Sequence, residues 1–571
     1  MWLFALLFSR EYMAHYEHKA RYYIFMLATF ASTALVFVSG DLLTLFVFFE
    51  VMSISSYVLV IHDETKECMR AGETYLAVAV IGSMVMLMGL FLLYNLLGTL
   101  SLGELAEAAK PYKGTKELYV PCGLIMFGFG AKAGIFPLHI WLPKAHPVAP
   151  APASAILSGI LTKAGIFGAL ILSCIILAGD HKWGKVLAIL GMVTMLTGAV
   201  LALFSVNLKR TLACSSVSQI GFITVGIGLM CMLGDENLIA ARGTVLHMVN
   251  HSMIKLLLFC CAGAIYMKVH ELNLNKLRGY GRNKNGLKAL FAVGALSISG
   301  IPLFSGYVSK TLLHEGILEY MHHSANSGEF VIFEKLFLFA GGLTLAYMLK
   351  LFICIFVEKN ADSALQAKYD SIKPAMSGLS AISLGAPAAV LLAMGFLPHL
   401  VMDGISNICM PFLGVAEHLW KGDAAYEHYV NYFSLENLKG SAISIVIGLA
   451  VYFLIIRPLL TTKDENGNPE FLDRWPKKLD LEDLIYRPLI AAIVKVLTVA
   501  CGILADLTDD IVKAVFACIL KPIGREEKGE SAFSAALRRF SAENGEFEST
   551  LSFGLTLALI GLCILLAVCL F

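Results

Sequence analysis

The sequence has few charged residues for its length. Only 15% of the 571 residues are Asp, Glu, Lys or Arg, whereas 57% are hydrophobic, and soluble globular proteins carry about a quarter charged residues. The net charge is +1, and no block of like charges forms a tail. This composition excludes a water-soluble globular protein and provides no basic surface of the kind that binds nucleic acid.

The thirteen cysteines lack the spacing of a metal site or a disulfide framework. No CxxC pair occurs, and most cysteines stand alone in apolar runs, as Cys174 and Cys354 do. We interpret them as small buried hydrophobic residues. Gly279 and Gly281 resemble the start of a dinucleotide fingerprint, but Lys284 replaces its last glycine, so a turn is expected there. The sequence predicts no metal, no cofactor and no enzymatic chemistry of its own.

The sequence contains many long apolar runs. Runs of about 18 to 25 residues can cross the hydrocarbon of a bilayer, and they recur along the whole chain. The predicted spans, thirteen in number, are residues 22–39, 41–61, 73–97, 119–141, 151–178, 183–205, 211–234, 242–267, 287–318, 331–357, 376–397, 438–457 and 551–571. The predicted fold is an all-α polytopic membrane protein. The opening MWLFALLF is too short to cross and lacks the basic flank of a signal peptide.

Positive residues collect on one side of these spans, and short cytoplasmic loops are the ones that retain Lys and Arg. The rich side has Arg10, Lys19, Arg21, Lys66, Arg70, Lys209, Arg210, Lys268, Lys276, Arg278, Arg282, Lys284 and Lys288. The opposite side has Lys110, Lys113, Lys116, Lys182, Lys185 and Arg242. We therefore expect a bacterial or archaeal cytoplasmic membrane, with the basic loops facing the cytoplasm.

Two predicted spans are interrupted by glycine and proline and carry a lysine near the interruption, at residues 128–143 and 297–310. Each is the fourth helix of a five-helix block, the first block covering 22–178 and the second 183–357. Because each block crosses the membrane an odd number of times, the second block is inverted relative to the first. Interrupted helices at matching positions of inverted repeats point to a transport site.

The remaining segments differ in character. An N-terminal segment, 1–21, precedes the first block, and further membrane helices occupy 376–457. A hydrophilic linker follows at 458–482. Residues 483–549 contain an amphipathic run that favours a lateral helix along the membrane surface, with a tilted span as the alternative, and 550–571 form the final predicted span.

Ionisable side chains lie inside the predicted spans. A charge at the bilayer centre costs at least about 2.5 kcal/mol, so such residues usually face a polar interior and serve a function. The candidates for proton translocation are Glu50, Lys132, Lys163, His247, His251 and Lys310, and the secondary candidates are His139, Lys209, Lys255, His314 and Glu315. Burial lowers the pKa of a lysine, a nearby carboxylate raises it again, and histidine titrates near neutral pH. These residue types therefore suit a proton relay.

Some of these residues have other interpretations. In one alternative interpretation, Glu50 and Lys132 form a static ion pair that holds two helices together. In another, His247 and His251 bind zinc, because their i, i+4 spacing is suitable, although no HExxH glutamate or third ligand is evident.

Two further alternatives concern residues near the predicted ends of helices. In the first alternative, the loop where the span 119–141 leaves the membrane contains His139, Lys144 and His146. Lys209, beside Arg210, is either a positive anchor at a helix start or a relay group.

Five stretches carry a resemblance to a known family. They are FFEVMSISSYVLV, GAKAGIFPLHIWLPKAHPVAPAPASAILSGILTKAGIFG, NLKRTLACSSVSQIGF, HMVNHSMIKLLLFCCAGAI and ISGIPLFSGYVSK. In order and spacing they resemble the antiporter-like subunits shared by respiratory complex I, membrane-bound hydrogenases of the hydrogenase-4 type and Mrp cation/proton antiporters. The resemblance covers roughly residues 10–360, and WLPKAHPVAPAPASA is most similar to the hydrogenase and Mrp branches.

The resemblance implies a role for each matching residue. Glu50 and Lys132 match the family's glutamate and broken-helix lysine, and Lys163 matches its central lysine. The central histidines correspond to His247 and His251. Lys310 corresponds to the lysine or glutamate of the second broken helix, and the lateral C-terminal helix resembles that of the longest complex I member.

The family pattern has three helices before the span at 22–39, where this sequence has only MWLFALLF. A separate chain that supplies those helices is one explanation. The expected function is proton translocation as one subunit of a larger membrane assembly, with other membrane subunits and the lipid bilayer as partners. The alternatives are a sodium/proton antiport subunit of the Mrp type, with Na+ as coupling ion, and a non-conducting scaffold.

Overall fold

The computed structural model is almost entirely helical. It describes residues 1–323, 328–372, 376–415, 417–420, 430–463 and 469–475, with isolated residues between 484 and 503. Met1–Trp475 forms one compact unit, and Pro476–Phe571 belongs to a second. Apart from those isolated residues, the predicted lateral helix at 483–549 and the final span at 550–571 lie outside the described residues.

The helices of the first half are α1 Trp2–Tyr12, α2 Lys19–Val38, α3 Leu42–Val60, α4 Lys66–Leu97, α5 Leu102–Ala109, α6 Lys116–Ala133, α7 Trp141–Val148, α8 Ala151–Ile156, α9 Thr162–Ile171, α10 His181–Phe204 and α11 Leu208–Leu233. Those of the second half are α12 Leu238–Val269, α13 Leu274–Leu277, α14 Asn285–Ser299, α15 Ser305–His323, α16 Gly328–Phe356, α17 Ser363–Ser371, α18 Gly378–Phe396, α19 Pro398–Cys409, α20 Glu417–Trp420, α21 Leu435–Val451 and α22 Arg457–Leu459. Strands β1 Thr461–Lys463 and β2 Pro469–Phe471 form an antiparallel pair within the predicted hydrophilic linker.

Eleven helical segments in the described part of the chain are long and apolar enough to cross a membrane. They are Lys19–Val38, Leu42–Val60, Lys66–Leu97, Lys116–Val148, Ala151–Ile176, His181–Phe204, Leu208–Leu233, Leu238–Val269, Gly328–Phe356, Gly378–Phe396 and Leu435–Leu459. Each overlaps one predicted span. The predicted span 287–318 is divided between α14 and α15, which meet at Gly300. The chain is therefore a polytopic membrane protein.

Both predicted interruptions coincide with a glycine in the left-handed region. Gly134 follows α6 with φ +80° and Gly300 follows α14 with φ +74°. Glycine adopts such a φ without a steric penalty, and the amides that follow bond back to carbonyls of the last turn. Ile135 N bonds Gly130 O at 3.0 Å, and Ile301 N bonds Leu296 O at 3.2 Å. The chain resumes as α7 and α15.

Close helix contacts bring the first interruption next to the following span. A Cβ atom at Gly165 on α9 would lie 2.3 Å from Phe129 O and 2.7 Å from Ala133 N on α6. Only glycine permits this approach. The span Ala151–Ile176 also contains two π-helical turns, Leu157–Leu161 and Leu172–Ile176, and such turns are frequent at functional sites.

The centre of the described unit is formed by α11 and α12. Almost every residue of α11 is buried, and α12 packs against α8, α11, α14, α15 and α18. Helices that are buried on all sides present their polar side chains to protein instead of lipid. Most polar residues of α11 and α12 are therefore held in the interior.

Candidate functional site

Lys132 lies at the end of α6, two residues before the Gly134 break, and only 4% of it is exposed. Its Nζ donates to Ser53 Oγ on α3 at 3.0 Å and to Tyr75 Oη on α4 at 2.6 Å. The Tyr75 hydroxyl also forms a 2.6 Å hydrogen bond with Ser56. Three helices thus converge on one buried ammonium group.

Glu50 lies one turn before Ser53 on α3 and is half-buried. Its Oε1 atom is buried without a hydrogen-bond partner in the described structure. The carboxyl group interacts with Ser83 on α4 and electrostatically with Lys132. No described ion pair joins Glu50 to Lys132, because Lys132 is held by hydroxyl groups instead.

Lys163 and His251 form a second centre. The Lys163 Nζ contacts His251 Nδ1 and also donates to Ser158 O at 2.9 Å. Ser158 belongs to the π-helical turn Leu157–Leu161, so that turn supplies a ligand for the ammonium group. The other ring nitrogen of His251 is buried without a partner among the described residues. This arrangement links α9 to α12.

His247, His251 and Lys255 lie on one face of α12, one turn apart. Lys255 is fully buried, and its Nζ donates to Leu212 O at 2.8 Å and to Ser215 Oγ on α11. Lys255 and Lys163 are close enough to interact electrostatically. The face of α12 therefore forms a column of ionisable groups between α9 and α11.

The second interruption, which Lys310 on α15 follows, lies close to His247. One ring nitrogen of His247 forms a 3.1 Å hydrogen bond with Gln219 Oε1, and Nδ1 forms one of 3.0 Å with Ser309 Oγ on α15. The next residue, Lys310, donates to Ile298 O at 2.8 Å and lies over the Phe222 ring at 4.7 Å. Ser309 thus connects the α12 column to Lys310.

A polar cavity of about 40 Å³ adjoins Lys310. Its lining includes Ser299, Thr311, His314, Asn437 and Ser441. A water molecule requires only about 10–15 Å³ and several polar partners. The cavity therefore has room for water beside the Lys310 ammonium group.

The secondary candidates lie around these centres. His139 is buried, and its ring stacks on Phe136 at 5.7 Å. Lys209 is 2% exposed, donates to Ala149 O at 2.9 Å and lies 5.2 Å from the centre of the Tyr266 ring. Lys209 is therefore buried at the start of α11.

In the middle of α15, His314 Nε2 forms a 3.0 Å contact with Glu334 Oε1 on α16. Glu315 is half-buried and interacts with Asn437. Both lie next to the cavity beside Lys310, because His314 and Asn437 belong to its lining.

Several residues of the site were not selected from the sequence. Ser53, Tyr75, Gln219 and Ser309 all hydrogen-bond a candidate side chain. Their only sequence signal is a hydroxyl or amide group within an apolar span. His146, which the sequence left open as a loop residue, lies in α7 and is fully buried.

The described residues contain no group of three or more His, Cys, Asp or Glu side chains placed to hold a metal ion. The partners of His247 and His251 are Gln219, Ser309 and Lys163. The zinc interpretation therefore has no third ligand in the described structure.

Comparison with known proteins places this arrangement in a family. Residues 39–331 match the family model described as "NADH:quinone oxidoreductase/Mrp antiporter, TM". The chain belongs to this family. The matched region contains all six primary candidates, from Glu50 to Lys310.

Curated family members include components of different assemblies. The chain is 34% identical to hydrogenase-4 component B of Escherichia coli over 53% of its own length, and 32% identical to a Na(+)/H(+) antiporter subunit of Alkalihalophilus pseudofirmus over 64%. These alignments cover 46% and 71% of the two relatives, respectively. The chain thus spans less than half of the hydrogenase component.

A solved structure supports the same fold. The archaeal membrane-bound sulfane sulfur reductase, a respiratory membrane complex, contains a chain with a TM-score of 0.61 and 26% identity to this one. The superposition covers 69% of this chain and 76% of that chain. Family members therefore occur within membrane complexes of several subunits.

Proposed function

We propose that this chain translocates protons across the membrane as an antiporter-like subunit of a redox-driven assembly related to complex I. The observation that carries the proposal is the buried series of Lys132, Lys163 with His251, Lys255, and His247 with Lys310. Keeping such groups inside an apolar helix bundle is costly unless they serve a function. The family membership of residues 39–331 supports it.

Lys132 is the gated group in this proposal. Its ammonium is held by Ser53 and Tyr75, while Glu50, one turn away, keeps a buried carboxylate oxygen without a hydrogen-bond partner in the described residues. A small movement of the Lys132 side chain would exchange hydroxyl ligands for the carboxylate. A carboxylate stabilises the protonated amine far more than a hydroxyl does, so the movement changes how firmly Lys132 holds its proton.

The proton then passes along α12. Lys163 contacts His251 directly, and His247 reaches Ser309, the neighbour of Lys310. The cavity beside Lys310 has room for water through which the proton leaves. Histidine between lysines suits this role because one ring nitrogen can accept a proton while the other releases one.

The finer architecture is also part of the proposal. The blocks 22–178 and 183–357 are inverted repeats, each with one broken helix, and the sequence contains thirteen spans. Residues 483–549 contain the lateral amphipathic helix, and the basic loops face the cytoplasm. The positive φ at Gly134 and at Gly300, one break in each block, supports this arrangement.

Substitution of Lys132 tests the function. In inverted vesicles that contain the complete assembly, we expect Lys132→Ala to reduce proton translocation by about a hundredfold or more, as for other groups that transfer protons. Lys182→Ala removes an exposed lysine and should leave the rate unchanged. Undiminished translocation by Lys132→Ala, in vesicles with normal amounts of the protein, would refute the gating role.

Sodium/proton antiport is the second candidate, because one relative at 32% identity is named as part of a Na(+)/H(+) antiporter. The two functions differ in one measurement. If the chain belongs to a redox-driven proton pump, translocation at fixed pH is independent of Na+. A requirement for Na+ would favour the antiporter.

A further inference from the structure

A cleft of about 590 Å³ opens where α11 begins, on the face that carries the basic loops. Its walls include Asn207, Arg210, Glu271, Asn273, Glu470 and Asp473. Most of these side chains are partly or fully exposed. The cleft is therefore polar and wide enough for many water molecules.

Lys350 is buried close to this cleft. It is 2% exposed and lies less than two turns before the end of α16. Its Nζ donates to Ala202 O at 3.1 Å and to Leu203 O and Ser205 O at 2.7 Å each. Ser205 immediately precedes Val206, which lines the cleft. Asp473 on the cleft wall interacts electrostatically with this amine.

Cys214 on α11 lies within electrostatic range of both Lys350 and Lys255. The Cys214 side chain, fully buried on α11, interacts electrostatically with both Lys350 and Lys255, and also with Arg210 on the cleft wall. The two amines therefore approach the same point of α11. Lys255 in turn donates to Ser215, the next residue.

Two unpartnered polar atoms continue the line towards His247. Tyr347, one turn before Lys350, interacts with Ser215 and Gln219, but its buried hydroxyl forms no hydrogen bond of good geometry with them in the described part of the chain. Gln219 Nε2 is also buried without a hydrogen-bond partner among the described residues, whereas Gln219 Oε1 bonds His247. Buried polar groups are almost always satisfied, by protein or by ordered water. A water molecule among Ser215, Gln219 and Tyr347 would satisfy both atoms and link Lys255 to His247.

We propose that the cleft is the mouth of a proton-access route, and that Lys350 transfers protons between it and the Lys255–His247 column. The inference rests on the proposed proton translocation and adds a route from the basic face to the second block. Protonated Lys350 satisfies three carbonyls with three N–H groups. When Lys255 is unprotonated, Lys350 releases a proton to it, keeps two N–H groups as a neutral amine and is reprotonated from the cleft.

The alternative role for Lys350 is structural, because its three acceptors are carbonyls at the C-terminal end of α10, where a cation stabilises the helix. Lys350→Arg separates the two roles. An arginine retains the positive charge and the donors but does not release a proton at physiological pH. In inverted vesicles with the complete assembly, we expect Lys350→Arg to lower translocation by about tenfold or more. A rate within about twofold of the wild type would show that a fixed cation suffices and would overturn the proposal.

Lys284 provides a matched control. It is also 2% exposed and donates to a carbonyl, Tyr369 O, at 3.0 Å, but it lies outside the proposed route. Lys284→Arg should translocate at the wild-type rate. Lys132→Ala, assayed in parallel, distinguishes the two proposals: its loss of activity together with an active Lys350→Arg would reject only the access route.

The cleft itself is tested without altering Lys350. A bulky membrane-impermeant maleimide attached to Glu470→Cys should slow translocation severalfold, because the adduct fills the mouth. Lys359→Cys, an exposed position of the same face that does not line the cleft, should be labelled without effect. Labelled Glu470→Cys that translocates at the unlabelled rate would overturn the proposal even if Lys350→Arg failed to assemble.

Discussion

Five buried lysines within the helices share with Lys284 one mode of stabilisation, in which Nζ donates to a main-chain carbonyl. Lys163, Lys209, Lys255, Lys310 and Lys350 donate to the carbonyls of Ser158, Ala149, Leu212, Ile298 and Ser205, respectively. A carbonyl stabilises an ammonium group but does not take its proton. A carboxylate at 4 Å would add about 4 kcal/mol of attraction at an effective dielectric of 20, which holds the proton about a thousandfold more tightly. Carbonyl ligands therefore suit groups that must both bind and release protons.

Lys132 is held differently, by the hydroxyls of Ser53 and Tyr75. We expect Tyr75→Phe to lower translocation by about tenfold or more, because a hydrogen bond to a charged group contributes about 1.5–3 kcal/mol. The initial rate of proton uptake by inverted vesicles measures the effect. Tyr57→Phe, a half-buried tyrosine elsewhere in the same helix pair, should not change it. Equal rates for the two variants would mean that Tyr75 does not stabilise Lys132 during the cycle.

The burial of single residues could be predicted from the sequence, but their partners could not. Lys132, Lys163 and Lys310 are each less than 10% exposed, as their apolar surroundings indicate. Tyr75 is 57 residues away from Lys132 in the sequence, and no local pattern relates the two. Their contact depends on how α4 packs against α6, which only the folded chain determines.

At the scale of elements, the interruption between α6 and α7 places Lys132 at a helix end. A Cβ atom at Gly134 would lie 2.2 Å from Leu142 Cδ1, and the φ of +80° disfavours any L-residue. We expect Gly134→Ala to destabilise the protein by at least about 1–2 kcal/mol, the cost of a left-handed L-residue alone. The melting temperature of the purified protein should fall by several degrees.

Gly123 is the matched control for this prediction, because it lies in the same helix and a Cβ atom there would meet nothing within 4 Å. Gly123→Ala should leave the melting temperature unchanged or raise it slightly, since alanine favours the helix by about 0.5–1 kcal/mol. If both alanines had the same effect, the break would not depend on the backbone freedom of Gly134.

Helix breaks were predictable because glycine and proline mark them locally, whereas helix ends were less so. The span predicted at 242–267 begins at Leu238 in the structure. The sequence placed the boundary at a charged residue, Arg242, but this side chain is only 8% exposed and bonds Asn407 of α19 at 3.1 Å. The π-helical turn Leu157–Leu161 likewise has no sequence signal, because it depends on contacts such as Ser252 Oγ with Gly159 O at 2.5 Å.

At the scale of the whole described unit, hydrogen bonds to Glu11 join α1 to the start of α18. The Glu11 carboxylate accepts hydrogen bonds from Ser377 N at 3.2 Å and from the hydroxyls of Ser377 and Ser380. Ser377 is the N-cap of α18, so the negative charge also lies at the positive end of a helix dipole. Because α18 packs against α12, α14 and α15, this contact connects α1 with the helices around the proposed relay.

The contact between Glu11 and α18 should weaken in acid. Burial alone would raise the pKa of Glu11, but the hydrogen bonds from Ser377 and Ser380 outweigh it and hold the pKa below its ordinary value of 4.5. A carboxyl group whose pKa is lowered by folding stabilises the folded state above that ordinary value. The stabilisation is lost as the pH falls through the lower, folded-state pKa.

Amide hydrogen exchange in the first turns of α18, divided by the intrinsic rate at each pH, measures this loss. Protection in the wild type should decrease as the pH falls below about 4.5. Glu11→Gln should show reduced protection already at neutral pH and little further change in acid. Glu17→Gln, at an exposed position of the following loop, should behave as the wild type does. A parallel acid response in Glu11→Gln would assign the weakening to another group, because an amide at position 11 has no proton to gain in this range.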